Sequence, residues 1–322
     1  MLTKSLAGAF YTHNKDLIKD LKLPGAICEP FAGAGDLLKL YGECEYQAWD
    51  LQPEQSSYKI TQRDSLLNPP WLNQWILTNP PYLAKNKSGK SQATVFKKYK
   101  EDDLYKCFIR ALIDIPALGG IVIIPINFLL SHRKKDRQLR SDFINVYNIT
   151  SLKIFEKQMF KDTTSSVCTI AFISGKTIDA IPTVLYNQTE TNLSLNFDEL
   201  DLNLPESQYK ICRWVSKNKT VPTGLTSISI KCVDDNKKIC AFWSQEYCDT
   251  TQKASARSYI TLVITPELSL ESQELLIEQF NDFITELRKK TCGLFLVSFR
   301  EKNRKRISFE QIYKITSFLL RP

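Results

Sequence analysis

Asn79-Pro80-Pro81-Tyr82 places an amide, a rigid turn and an aromatic ring directly after the apolar run Trp75-Ile76-Leu77-Thr78. Residues of these types can hold a flat, amino-bearing group by its edge and by its face at once. The exocyclic amine of a nucleobase is a poor nucleophile, because its lone pair is delocalised into the ring. The side-chain carbonyl of Asn79 and the backbone carbonyl of Pro80 could each accept one N–H bond. That would draw the nitrogen towards tetrahedral geometry and aim its lone pair at an electrophile, while Tyr82 stacks on the ring. Taken alone, the tetrapeptide also reads as a strand-to-loop exit, since Asn and Pro are common turn residues.

Upstream stands Glu29-Pro30-Phe31-Ala32-Gly33-Ala34-Gly35-Asp36, between the apolar run Gly25-Ala26-Ile27-Cys28 and a helix expected from Leu37-Leu38. A Gly-x-Gly at a strand-to-helix turn lets a cofactor approach the backbone closely. The dinucleotide fingerprint needs a third glycine where this chain has Leu38, and no Gly-Lys-Ser/Thr phosphate loop occurs. The acid that opens the turn suits a cofactor carrying an amino group and a sulfonium better than one carrying pyrophosphate. Asp50 closes the next expected strand, Tyr46-Gln47-Ala48-Trp49, where a carboxylate can accept ribose hydroxyls, and Asp64 follows where it could receive an adenine amino group. Each acid by itself also reads as a solvated loop residue; their order after expected strands is what links them.

As a set, these motifs resemble the S-adenosylmethionine-dependent DNA amino-methyltransferases, specifically adenine-N6 enzymes of the kind that accompany restriction systems. The resemblance covers roughly residues 5–175, in the gamma or a closely related motif order. Gly8-Ala9-Phe10-Tyr11-Thr12 looks like the family's opening cofactor segment, with His13 departing from its usual proline. Glu29 to Gly35 looks like the glycine-rich motif, Asn79 to Tyr82 like the catalytic motif, and Gly120 to Pro125 like the following core strand. Gln158-Met159-Phe160 looks like the late motif whose aromatic ring covers the second face of an extruded base. The resemblance implies S-adenosylmethionine as cofactor, on Phe10, Tyr11, Thr12, Glu29, Pro30, Ala32, Gly33, Gly35, Asp50, Leu51, Asp64, Ser65 and Asn79. It implies catalysis by Asn79, Pro80, Pro81, Tyr82 and Phe160 on an adenine flipped out of double-stranded DNA.

The elements that must position these groups follow from the patterning. The first half alternates short apolar runs with helical patterns, which predicts an α/β fold on a doubly wound sheet. Strands are expected at 26–30, 46–50, 75–79, 120–126, 151–156 and 166–174, and helices near 102–114 and 135–147. The resemblance adds that the sheet is mixed, of the Rossmann-like methyltransferase type, and ends in an antiparallel hairpin. After Gly175 the texture turns to Thr, Asn, Ser and Asp with short alternating runs, which predicts a separate, smaller, mostly β or mixed domain. The expected division is a catalytic domain over 1–178 and a target-recognition domain over 179–322. In the latter, Leu276, Phe280, Phe283 and Leu287 form a helical stripe, and Ser308 and Gln311 a capping box.

The chain has 322 residues, 43% hydrophobic and 24% charged, with a net charge of +8. Its basic residues cluster. Lys85, Lys87, Lys90, Lys97, Lys98 and Lys100 follow the catalytic motif in what reads as a flexible, phosphate-clamping loop. A second run is His132-Arg133-Lys134-Lys135-Asp136-Arg137, and a third comprises Arg300, Lys302, Arg304, Lys305 and Arg306. Any one run also reads as a solvated face; three runs beside a base-binding motif point to nucleic acid, with Arg133, Arg300 and Arg304 as further DNA contacts. The nine cysteines form no C-x-x-C pair, and two histidines supply neither a metal centre nor a triad, so no metal is expected.

No apolar run approaches the ~20 residues of a membrane span, and Met1-Leu2-Thr3-Lys4 lacks a signal core, which predicts an intracellular enzyme with no membrane partner. Without an acid-and-lysine nuclease cluster, a cognate restriction endonuclease acting on the same site is expected as a separate polypeptide. Three alternatives stay open: methyl transfer to RNA, methyl transfer to a protein glutamine amide, and a non-catalytic nucleic-acid-binding specificity subunit on the same scaffold. Only about 28 residues before the glycine-rich motif weigh against the glutamine reading, Asn79 in place of Ser weighs against cytosine-N4 chemistry, and the intact motifs weigh against lost catalysis.

Overall fold

The computed structural model describes residues 12–155, 158–160, 166–175, 183–187, 189–191, 201–214, 221–234, 241–243, 259–291, 293–298 and 305–322. The chain divides into two compact units, Met1–Asn192 and Leu193–Pro322. In the first, β1 (Ile27–Glu29) leads through a glycine turn into α1 (Asp36–Tyr41), then β2 (Tyr46–Asp50), β3 (Ile60–Gln62) and β4 (Trp75–Thr78). After β4 come α2 (Ala93–Tyr99), α3 (Leu104–Asp114), β5 (Gly119–Pro125), α4 (Asn127–Leu130), α5 (Lys134–Val146), β6 (Tyr147–Ile154) and β7 (Val167–Ser174). Two short strands, β8 (Thr183–Tyr186) and β9 (Thr189–Thr191), complete one sheet of order β3-β2-β1-β4-β5-β7-β6-β8-β9.

Strands β3, β2, β1, β4 and β5 are parallel, and β7 runs antiparallel between β5 and β6, so the unit is a doubly wound mixed α/β sheet. The chain winds outwards from β1 to β3 on one side and from β4 to β5 on the other. The carboxyl ends of β1 and β4 therefore flank the point where strand order reverses, the place at which open α/β sheets bind ligands. Ile121 and Ile123 of β5 enter a buried cluster with Leu17, Leu38, Leu77, Phe155, Met159 and Phe160, the period-2 spacing of a central strand. Elsewhere in the unit, Trp71, Phe108, Phe143, Tyr147 and Phe172 join edge-on or tilted aromatic contacts.

The first unit runs past residue 178, the expected boundary, because β8 pairs in parallel with β6 and β9 closes on β8. The segment expected as a flexible lysine loop is mostly helical: single 3₁₀ turns at Lys85–Lys87 and Lys90–Gln92 lead into α2, which buries Val95, Phe96 and Tyr99. Lys98 does not face a ligand there, since its Nζ donates to the carbonyls of Leu66 and Leu67.

The second unit holds β10 (Lys210–Arg213), β11 (Leu225–Lys231), β12 (Val233–Asp234), β13 (Ala241–Trp243), β14 (Tyr259–Thr265), α6 (Leu270–Thr291), β15 (Val297–Ser298), β16 (Lys305–Arg306) and α7 (Phe309–Leu319). They form an antiparallel sheet of order β10-β14-β11-β13 and a smaller one of order β12-β16-β15. Leu276, Phe280 and Leu287 are buried on α6 as the stripe predicts, with Ile284 taking the inward position and Phe283 half-buried against Phe318. Ser308 and Gln311 form the expected capping box at the start of α7. Among the described residues no helix is long and apolar enough to cross a membrane.

Candidate active site

The glycine turn after β1 is shaped by backbone conformation. Gly33 and Gly35 have φ of +56° and +85°, and a side chain on Gly35 would meet the Tyr58 ring at 2.6 Å. Neighbouring side chains tie the turn down: Gly33 N–H donates to Asp50 Oδ2 at 2.8 Å, and Ser56 Oγ donates to the Ala34 carbonyl at 2.5 Å. Asp50 also accepts the Gln52 N–H at 2.8 Å, so both of its oxygens already carry a backbone bond. An ionised carboxylate has about four lone-pair sites, which leaves room for ribose hydroxyls. Beside it Leu51 is 50% exposed, a flat apolar surface next to the acid. Asp64 Oδ1 accepts from the N–H groups of Leu66 and Leu67, and the neighbouring Ser65 is buried with its hydroxyl unpartnered.

Glu29 is buried, 1% exposed, at the end of β1, flanked by buried Pro30 and Ala32. Its Oε1 accepts the Thr78 hydroxyl at 2.7 Å and the Phe31 N–H at 3.3 Å, whereas Oε2 has no partner. Burial pushes this carboxyl up to about 8, against the lowering effect of the Thr78 and Phe31 bonds and with a further push from Asp50. A buried carboxyl oxygen without a partner is costly to leave so.

Asn79 leaves β4 immediately after Thr78. Its Nδ2 donates to the buried Thr12 hydroxyl at 3.1 Å, and its Oδ1 accepts from the Tyr82 hydroxyl. The same phenol lies 2.7 Å from the Ile123 carbonyl, and burial pushes its pKa well above the ordinary value, so it stays a donor. Pro80 is buried and Pro81 half-buried, a stiff base for the turn. Tyr82 is half-buried and meets Tyr105 edge-on at 6.1 Å. Phe160 lies in the core cluster, 4% exposed, in the same cluster against which Tyr82 packs. Phe10, Tyr11, Arg300 and Arg304 lie outside the described residues.

Two positioning groups escaped the sequence reading. Asp103 accepts the Leu83 N–H at 3.1 Å and caps α3 through the Tyr105 N–H, so one carboxylate fixes both the backbone behind Tyr82 and the ring beside it. An Asp immediately before a helical run is an N-cap signal that could have found it. Thr78 is the other; as the last residue of an apolar strand it carries no comparable signal.

Lys85, Lys87, Lys90 and Lys97 are all exposed. The run after β5 is used differently. Arg133 donates to Asp102 at 2.7 Å, Lys106 bridges Asp102 and Asp136 at 2.8 and 2.6 Å, and Lys135 pairs with Glu101 at 3.1 Å. These pairs tie the start of α3 and the residues before it to the start of α5, and Arg133, expected as a DNA contact, pairs with Asp102 while its side chain stays 62% exposed. Among the described residues no group of His, Cys, Asp or Glu could hold a metal ion.

Residues 68–160 match the Eco57I restriction-modification methylase family. The matched segment contains Asn79 to Tyr82, the lysine segment and Phe160, while Glu29, Asp50 and Asp64 precede it. No match emerges among curated proteins. Among solved structures, a modification subunit assigned to a type I restriction enzyme of Vibrio vulnificus YJ016 aligns at 14% identity and a TM-score of 0.38, over 55% of this chain and 47% of that one. The type I restriction-modification methyltransferase subunit of Streptococcus thermophilus aligns at 15% identity and a TM-score of 0.38, over 56% of this chain and 48% of that one. The type IIL restriction-modification enzyme MmeI, solved with DNA, aligns at 12% identity and a TM-score of 0.41, over 65% of this chain and 40% of its own length. The match thus spans less than half the length of each of these three proteins.

Proposed function

We propose that this protein transfers a methyl group from S-adenosylmethionine to the N6 amine of an adenine flipped out of double-stranded DNA. The observation that carries this reading is the bare, buried Oε2 of Glu29 at the switch point of the sheet, one hydrogen bond from the strand that delivers Asn79. The family match over Asn79 to Tyr82 supports it independently.

The residues present fit the cofactor. Glu29 Oε2 would take its amino group, the turn at Gly33 its methionine part, Asp50 its ribose, and Leu51, Asp64 and Ser65 its adenine; Phe10, Tyr11 and Thr12 would complete the site. When bound, the cofactor supplies the electrophilic methyl group. The protein's own part is placement. Asn79 Oδ1 keeps a second lone pair beside the one that Tyr82 occupies, and with the Pro80 carbonyl it can accept both N–H bonds of the target amine. Burial makes those bonds directional and shuts out water. Tyr82 would stack on one face of the base; for Phe160 to cover the other, its ring has to turn out of the core.

Flipping costs about a few kcal/mol, which phosphate contacts from Lys85, Lys87, Lys90 and Lys97 would offset. The unit over 193–322 would read the target sequence. A cognate restriction endonuclease would share that target. Incubation with labelled S-adenosylmethionine and DNA, RNA or protein tests the reading: label should enter DNA alone, and label in RNA or protein alone would replace it.

A further inference from the structure

Glu29 closes β1 and Thr78 closes the neighbouring parallel strand β4, and one hydrogen bond spans them. Thr78 Oγ1 donates to Glu29 Oε1 at 2.7 Å, with the two residues 0% and 1% exposed. Phe31 N–H donates to the same oxygen, so both bonds fall on Oε1 and Oε2 is left without a partner. We propose that Thr78 is a positioning residue: it aims Glu29 Oε2 at a cationic amino group and, as the residue before Asn79, joins that binding event to the loop that receives the target amine. The inference rests on the methyltransferase reading and deepens it.

The electrostatics agree with this geometry. Burial raises the Glu29 carboxyl to about 8, while the Thr78 bond, which favours the ionised form, works against the rise. Asp50 from β2 is the ionisable group that acts on it, β4 contributes only the neutral Thr78, and the neighbouring Cys28 thiol feels both Glu29 and Arg63. Among the described residues no cationic side chain pairs with Glu29. At neutral pH the acid should therefore shed a proton when an ammonium group arrives, and losing the Thr78 bond should make that ionisation harder.

The test is calorimetric titration with S-adenosylhomocysteine, which keeps the amino group, in buffers of different ionisation heat from pH 6 to 9. Wild type should release most of one proton at pH 7. Thr78→Val should bind about ten- to a hundredfold more weakly there, the range for a hydrogen bond to a charged group, and its proton release should persist to higher pH. Thr78→Ser should restore both. Thr78→Ala removes the hydroxyl by a different change of volume and should repeat the Val result, so the test stands if one of the two fails to fold. Hydrogen exchange adds a second readout: the ligand should slow exchange at the amides of Asn79, Tyr82 and Leu83 in wild type and Thr78→Ser but not in Thr78→Val or Thr78→Ala. Unchanged affinity, proton release and protection in the variants without the hydroxyl would overturn the role of Thr78 alone. Failure of wild type to bind would overturn the cofactor reading and this role with it.

Discussion

Asn79 is held from both sides, by Thr12 on its amide nitrogen and by Tyr82 on its oxygen, so the acceptor is oriented before any substrate arrives. That arrangement changes what Tyr82 is expected to do. Its hydroxyl bonds Asn79 and its ring is the proposed stacking surface, so Tyr82→Phe should keep base retention and lose a modest part of turnover. Tyr82→Ala should lose both, with base–aromatic stacking worth about 1–3 kcal/mol. Fluorescence of 2-aminopurine at the target position reports the flipped base; an unchanged signal in Phe160→Ala would leave that ring as core. Asp50 holds the glycine turn and is the proposed ribose ligand, and substitution separates the two. Asp50→Asn, keeping an oxygen for the Gly33 N–H, should weaken cofactor binding less than Asp50→Ala; equal affinities in both and in wild type, by calorimetry, would remove Asp50 from the site. At this scale motifs name residue types, and the structure brings Glu29 and Asn79 to the ends of neighbouring strands, linked through Thr78. The sequence was silent on Thr78, because a contact across two strands 49 positions apart leaves no local trace.

The elements that read clearly were those with strong periodicity. Strands β1, β4, β5 and β7 lie where apolar runs predict them, as expected of strands largely buried on both faces; β2 lies where expected although only Ala48 is buried in it, and β6 spans Tyr147–Ile154 where 151–156 is expected. Missed elements carry weaker patterns: β3 is a three-residue edge strand, β8 and β9 are short and rich in Thr, and α2 hides Val95, Phe96 and Tyr99 among lysines. The ion-pair network between α3 and α5 shows how charge runs mislead, because sequence gives sign but not partner. Burial alone would raise the Asp102 carboxyl, but Lys106 and Arg133 outweigh it and hold it down at about 2. A carboxylate held below its unfolded value of about 3.9 stabilises the fold above that pH and loses the contribution as pH falls towards 2. Asp102→Asn should therefore be less stable than wild type at pH 7 in urea denaturation, with the gap closing as pH drops through that window. A gap independent of pH would show that the network does not depend on this charge.

Across the whole molecule, the proposed function gives chemistry to the first of the two units and target reading to the second. The expected boundary at 178 differs from the division after Asn192, because β8 and β9, only four and three residues long, join the first sheet. Neutralising Lys87, Lys90 and Lys97 should weaken binding to all DNA sequences alike, each lost phosphate contact flattening the logarithmic salt dependence by about 0.9. Changes in the second unit, with Arg300 and Arg304 first, should relax discrimination at single base pairs by about 1–3 kcal/mol. Specificity lost from the lysines and kept after changes throughout the second unit would reverse that assignment. Whether the Asn79 amide activates an adenine amine can be read by mass spectrometry of nucleosides from DNA treated with wild type and with Asn79→Ala. Wild type should yield N6-methyladenine and Asn79→Ala a rate about 10²–10³ lower, with S-adenosylhomocysteine affinity changed far less. Methylation at another atom, or near-normal N6-methyladenine formation by Asn79→Ala, would contradict that activation.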